Sequence, residues 1–323
     1  MSEASPSASA QSPNLVFVGG TGRSGTHVIA RLLGQHSHYE MIPIECRFHC
    51  NPSGLADVVT GKATPEQFLD KLRRFWWHRV RHGERAWVRL APFARRGGKV
   101  RGLHKIVARD RFEEAVAGFE ESCPRDPVSA SRALFFDLLG PLAAEAGKPA
   151  IVEMSCFTIA SAPGLARIFP EARFVHAVRD GRDSGSSKAA KRQKAHHPTG
   201  VTDGIEWWLE RLRLAEEGVR GLDDPGRVVP ISLDELVWGD RERAYGDLLG
   251  FLELEDEPAM REFFASHVSV DAAHRERWRE GLAAADREAI QKRYEAALTE
   301  LEVQGYQSAA VLRRAYGQGA VRV

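Results

Sequence analysis

Four short apolar runs punctuate the chain, each rich in branched or aromatic residues. Asn14-Leu-Val-Phe-Val-Gly19 comes first, then Ala150-Ile-Val-Glu153, Ala172-Arg-Phe-Val-His-Ala-Val178 and Arg227-Val-Val-Pro-Ile-Ser232. Runs of this length and composition predict strands buried in a parallel sheet. Elsewhere the apolar positions recur at helical spacing: His27–Leu33, most of 55–147, a segment ending near Phe169-Pro170, and roughly 240–316. Thr64-Pro65-Glu66-Gln67 predicts a helix start, with proline at the first helical position and a glutamine placed to close a capping box. No internal repeat or clear linker interrupts the series. The expected fold is α/β, a P-loop-type three-layer arrangement with a central, mostly parallel sheet and a helical insertion. A single domain is expected over 14–316, after a Ser/Ala/Pro-rich disordered leader at 1–13 and before a tail at 317–323. The insertion, 55–147, holds Phe75-Trp76-Trp77 and an Arg-rich stretch through Arg101. It reads either as a helical layer on the sheet or as a cap over an acceptor.

Composition narrows the classes of function. With 43% hydrophobic and 28% charged residues, the 323-residue chain can build a substantial core. Lys plus Arg (45) nearly cancels Asp plus Glu (44), and a net charge of +1 argues against wrapping nucleic acid. Arginines far outnumber lysines and cluster locally, which suits an anion site inside a neutral protein. No run approaches the ~18 apolar residues of a membrane span, and residues 1–13 lack the basic and apolar regions of a signal peptide. The expected compartment is the cytoplasm. Cys46, Cys50, Cys123 and Cys156 make no disulfide framework in a chain this long. Cys46 and Cys50 flank His49, but at a spacing that matches no common zinc pattern.

The first strand runs into Gly20-Thr-Gly-Arg-Ser-Gly25-Thr26, followed by a helix. Glycines at this spacing let backbone N–H groups and a helix N-terminus hold a phosphate. A nucleoside triphosphatase would continue with Lys and then Ser or Thr; this chain continues with Thr26 and His27. Ordinary triphosphate chemistry is therefore disfavoured. The cation sits inside the loop instead, at Arg23.

Gly22-Arg23-Ser24-Gly25-Thr26 after a strand resembles the 5′-phosphosulfate loop of sulfotransferases that use 3′-phosphoadenosine-5′-phosphosulfate (PAPS). It is similar to the Arg-Ser-Gly-Thr version of the bacterial and protein-tyrosine branches. A second family motif is a strand ending in Arg with Ser eight positions later, and Phe174–Ser187 reproduces it with Arg179 and Ser187. The resemblance implies that Gly22 to His27 bind the donor and that Arg179 and Ser187 hold its 3′-phosphate. A guanidinium fork with a hydroxyl at a helix start suits a dianion. Val229–Val237 is similar to a further strand-and-turn of the family. Arg275-Glu-Arg277-Trp278 resembles its C-terminal basic-Trp element, which implies a nucleotide contact for Arg277. The likeness spans residues 15 to about 305 and implies sulfuryl transfer to an acceptor hydroxyl with no metal.

The chain departs from the family at three places. His27 stands where a second Thr is common, and Glu153-Met154-Ser155-Cys156 replaces Glu-Lys-Thr-Pro, leaving Lys105 or Arg109 as substitute cations. His36–Arg47 resembles a segment of the protein-tyrosine branch with one residue inserted. That alignment makes Glu45 the base and Arg47 an acceptor contact, with Glu153 and His27 as rival bases. His36, His38 and His49 read as solvated or structural. Trp207-Trp208 reads as core, and Lys188, Lys191, Arg192 and Lys194 as a solvated face or a nucleotide contact. Two other functions stay open: a P-loop kinase with an atypical loop, and a non-catalytic nucleotide-binding module. The acceptor class, whether sugar, lipid, phenol, natural product or peptide, is left open.

Overall fold

Every residue of β1 (Leu15–Gly20) is buried, because this strand takes the centre of a five-stranded parallel sheet. The computed structural model describes residues 14–78, 102–190, 198–270 and 275–320. The expected leader, the Arg-rich stretch from 79 to Arg101, Lys191, Arg192, Lys194 and residues 321–323 lie outside the described residues. After β1 come α1 (Thr26–Leu33), β2 (Tyr39–Met41), α2 (Leu55–Val59) and α3 (Pro65–Lys71). Then follow α4 (Arg109–Ser122), α5 (Pro127–Glu145), β3 (Ala150–Met154), α6 (Ala162–Ile168) and β4 (Arg173–Val178). The C-terminal part holds α7 (Gly181–Ala189), α8 (Val201–Arg220), β5 (Val228–Ser232), α9 (Leu233–Trp238), α10 (Arg241–Leu252), α11 (Pro258–His267), α12 (Ala284–Val303) and α13 (Gln307–Ala320). Helix α13 thus runs past the expected boundary at 316.

Strand order is β2-β3-β1-β4-β5, with Phe17 opposite both Glu153 and Phe174. Alternation along β1 divides the core. Leu15 and Phe17 meet α2, α4, α5 and α6 on one face, whereas Val16 and Val18 meet α1, α9, α10 and α11 on the other. A third cluster, built by α8, α12 and α13 around Trp208, Trp278 and Tyr294, packs on Val178 at the end of β4. Among the described helices of 55–147, α5 packs on β2 and β3, and α4 packs on α5. The capping box at Thr64 forms in both directions: Gln67 N–H donates to the Thr64 hydroxyl and Thr64 N–H to Gln67 Oε1.

The chain leaves β1 toward β2 and β3 on one side, then crosses to β4 on the other. Loops from β1 and β4 diverge at this switch point, which opens a crevice at their carboxyl ends, where α/β folds bind ligands. Strand β2 has no counterpart among the four apolar runs. It is a three-residue edge strand inside His36-Ser-His-Tyr-Glu-Met, too short and polar to stand out.

Candidate functional site

The β1–α1 loop enters the crevice with Gly22, Arg23 and Gly25 at φ of 82°, 66° and 91°. These left-handed values cost glycine little, but an arginine there is strained by roughly 1–3 kcal/mol. Neighbouring elements impose the conformation. Gly20 N–H donates to Cys156 O at 3.0 Å, and a side chain at Gly25 would run into Leu233 of α9. Thr26 opens α1 and is buried, so it cannot stand in for a phosphate-reaching lysine. His27, one residue on, is exposed to the cleft.

Arg23 is the focus of the loop. Its Nε–H donates to Ser187 Oγ at 2.9 Å, and its carbonyl accepts from Arg179 Nη1 at 3.4 Å. Burial, and then the Arg179 charge, pull the Arg23 guanidinium below its ordinary value. Two guanidinium groups in this half-enclosed space suit an anion, with Asp183 and Asp234 also close enough to feel the Arg179 charge. Ser24 Oγ is fully buried against Gly20 beneath the loop and lines neither the hollow nor the cleft. The pair of guanidinium groups fits a bound phosphate or sulfate group.

The two residues of the second motif, Arg179 and Ser187, both touch Arg23, and one expectation about them is corrected. Ser187 is not at a helix start. Asp180 caps α7 and Gly181 opens it, which places Ser187 in its later half. The serine reaches the site as a side chain on the face toward Arg23, not through a helix N-terminus. Arg277 joins the group through the C-terminal turn. Glu276 N–H donates to Asp183 Oδ2 at 2.9 Å, and the Arg182 guanidinium lies over the Trp278 ring at 4.9 Å. The turn is thereby fixed against α7. A hollow of about 580 Å³ is lined by Arg23, Arg179, Ser186, Ser187 and Arg277.

The crevice continues on the other side of Arg23 as a cleft of about 780 Å³. Glu45 and Arg47 face it together with Gly20–Arg23, Gly25–His27, Arg179 and Lys188. Arg47 Nε–H donates to Glu45 Oε2 at 2.8 Å, and its Nη2 pairs with the same oxygen. Glu45 Oε1 accepts from the Cys156 thiol at 3.9 Å. Burial, and next Glu45, push that thiol up to about 11, so it stays protonated at neutral pH.

Glu153 lies elsewhere. It is fully buried, accepts from Cys46 N–H at 3.2 Å and Ser155 Oγ at 2.7 Å, and has His49 Nε2 2.9 Å from Oε2. Ser155 Oγ in turn accepts from Arg47 N–H at 3.2 Å. Glu153 anchors the loop that presents Glu45 and Arg47, and does not line the cleft. His49 is its buried partner, and His36 lies 3.5 Å from Glu257. Lys105 and Arg109 do not line the cleft either; Arg109 pairs with Glu113 on the surface of α4. Among the described residues the additional cations at the cleft are Lys188 and Arg211.

The adjacent tryptophans separate. Trp208 is fully buried, whereas Trp207 faces the cleft with Lys188 Nζ 5.0 Å from its ring centre. Consecutive helical positions point about 100° apart, so a pair cannot share one environment. Phe157 and Arg211 were not among the candidate residues. Arg211 follows Trp207 by one helical turn, the spacing that puts two side chains on one face.

A parallel sheet with a glycine-rich loop at its switch point, and arginines converging there, is an α/β arrangement suited to an anionic ligand. A model of the sulfotransferase family matches residues 13–258, most of the sequence, and the chain belongs to that family. Similar solved structures include sulfotransferase STF1 from Mycobacterium tuberculosis H37Rv, with 15% identity and a TM-score of 0.45 over 88% of this chain and 77% of that one. The sulfotransferase domain of the Synechococcus PCC 7002 olefin synthase is similar at 13% identity and a TM-score of 0.44, over 91% of this chain and 98% of that one. No curated protein matches the sequence at a significant level. No helix among the described residues is long and apolar enough to cross a membrane.

Proposed function

We propose that this sulfotransferase takes PAPS as donor and transfers its sulfuryl group to the hydroxyl of an acceptor by in-line displacement, without a metal. The observation that carries the reading is the contact of Arg23 with Ser187 and Arg179, which joins the two phosphate motifs into one cationic centre. Bound donor supplies an activated sulfuryl group and leaves as adenosine-3′,5′-bisphosphate. The backbone of Gly22–Thr26 and the Arg23 side chain hold the 5′-phosphosulfate end. Arg179, Ser187 and Arg277 line the hollow that takes the 3′-phosphate and adenosine.

Arg23 is the cation at the reacting end, where charge develops on the bridging oxygen as the S–O bond of the phosphosulfate anhydride breaks and the acceptor oxygen bonds to sulfur. Glu45 is the base that takes the acceptor proton, and the Arg47 fork fixes its carboxylate in the cleft. Lys188, next to Ser187 on α7, adds positive charge beside the loop. A kinase has less support, because buried Thr26 occupies the position of the phosphate-binding lysine.

Incubation with radiolabelled PAPS and an extract of the native host tests the reading. Label should reach an acceptor fraction with the wild type in the presence of EDTA, and fall by ~10²-fold or more with Arg23→Ala. Transfer that survives Arg23→Ala unchanged, or that occurs only from ATP with magnesium, overturns it.

A further inference from the structure

The far end of the 780 Å³ cleft is not used by the donor reading, and its chemistry is asymmetric. Phe157, Ala160, Trp207, Leu214 and Ala215 give it an apolar wall. Into this wall is set one guanidinium, Arg211 of α8. Arg211 lies 5.0 Å from the centre of the Phe157 ring and has no carboxylate partner among the described residues. The other arginines of the same helix differ: Arg213 pairs with Glu300 at 2.7 Å, and Arg220 donates to Gln304 O. Of the other cations at this side of the cleft, Arg47 is already taken by Glu45, and Lys188 lies over the Trp207 ring as a point charge without a guanidinium's fork. A half-buried guanidinium fixed on an aromatic face, in a cleft and without a counter-charge, suits a bidentate anion.

We infer that Arg211 is a specificity-determining residue, and that the acceptor is a hydroxyl compound with an apolar body and a separate anionic group, a carboxylate or phosphate, which Arg211 holds. The inference rests on the assignment of this cleft to a sulfotransferase acceptor. The apolar wall carries the body of the acceptor and the Glu45 side takes its hydroxyl. Pairing at Arg211 then sets the distance between anion and hydroxyl that the enzyme accepts.

The test uses the full chain saturated with adenosine-3′,5′-bisphosphate, so that Arg23 and Arg179 are already occupied. Three probes of equal length are titrated calorimetrically: 12-hydroxydodecanoate, 1,12-dodecanediol and 12-aminododecan-1-ol. The carboxylate probe should bind at least ~10-fold more tightly than the diol, and the amine more weakly than the diol, given the free-energy range of desolvated charge pairs. Arg211→Gln should remove the carboxylate preference while leaving diol affinity and bisphosphate affinity as in the wild type. Equal affinity for carboxylate and diol, preference for the amine, or a carboxylate preference that persists in Arg211→Gln overturns the inference. Loss of bisphosphate binding in the wild type would instead overturn the donor assignment, so the two failures are separable.

Discussion

Arg179 and Glu45 carry the two residue-level claims. If Arg179 faces the 3′-phosphate, Arg179→Ala should weaken adenosine-3′,5′-bisphosphate binding by about 2–5 kcal/mol, the range for a desolvated charge pair. Binding of adenosine-5′-phosphosulfate, which has no 3′-phosphate, should barely change; equal losses in calorimetry would make Arg179 structural. Glu45→Gln should fold normally, keep bisphosphate affinity and lose turnover by ~10²–10⁴-fold. Glu153→Gln provides the contrast. Its carboxylate sits beside His49 with no exposure, so the substitution should lower the midpoint of thermal unfolding, whereas Glu45→Gln should not. Normal turnover in Glu45→Gln would remove the base from that position. The sequence allowed Glu45, Glu153 and His27 as bases, because spacing alone cannot tell a strand residue facing the core from a loop residue facing solvent. Burial, and the bonds that Glu153 accepts from Cys46 N–H and Ser155 Oγ, set Glu153 apart from cleft-lining Glu45.

At the scale of elements, the site depends on two helices packed unusually closely. A Cβ added at Gly204 of α8 would come within 2.6 Å of backbone atoms of Gly185 in α7. Gly204→Ala should therefore cost about 1–3 kcal/mol of stability by overpacking, and a variant as stable as wild type in urea denaturation would contradict this contact. The turn after β4 adds a pH dependence. Burial, and then Asp180, push Asp234 up to about 7 and Asp183 up to about 6. Both lie above the ordinary carboxyl value of about 3.9. Their contribution to stability is thus fully present below about pH 4 and is lost as pH rises through 6 to 7. Nucleotide-free Asp234→Asn should lose less unfolding free energy between pH 5 and pH 8 than the wild type; an equal or larger loss would contradict the assignment. Asp180 N–H donates to Asp234 Oδ2 at 2.7 Å, a contact between distant segments that no local pattern announces. Strands β1, β3 and β4 were legible because burial on both faces forces an apolar run, and edge strand β5 because Val228, Val229 and Ile231 still concentrate branched residues in five positions. Edge strand β2 was not, because its three residues need no such run.

Across the whole molecule, the sheet places the two phosphate motifs side by side although they are separated by more than a hundred residues. β1 and β4 are neighbours in register, and the loop after β1 meets α7, the helix that follows β4, at Arg23 and Ser187. The sequence contained both motifs and their order, so the family could be read from it, and the structure brings the residues of the two motifs into contact. On the far side of the cleft the sequence offered Glu45 and Arg47 but not Phe157 or Arg211, because that side is assembled from β2's following loop, the turn after β3 and one face of α8. The C-terminal turn with Arg277 lies beyond residue 258, the end of the family match, yet it packs on α7 and lines the same hollow. One measurement bears most directly on the whole account: the stability of the full chain with adenosine-3′,5′-bisphosphate in EDTA, against ATP with magnesium. At a hundredfold excess over its dissociation constant, the bisphosphate should add ~2.7 kcal/mol without metal, and ATP with magnesium at the same concentration should add much less. A larger stabilisation by ATP with magnesium, or none by the bisphosphate, would contradict the donor site described here.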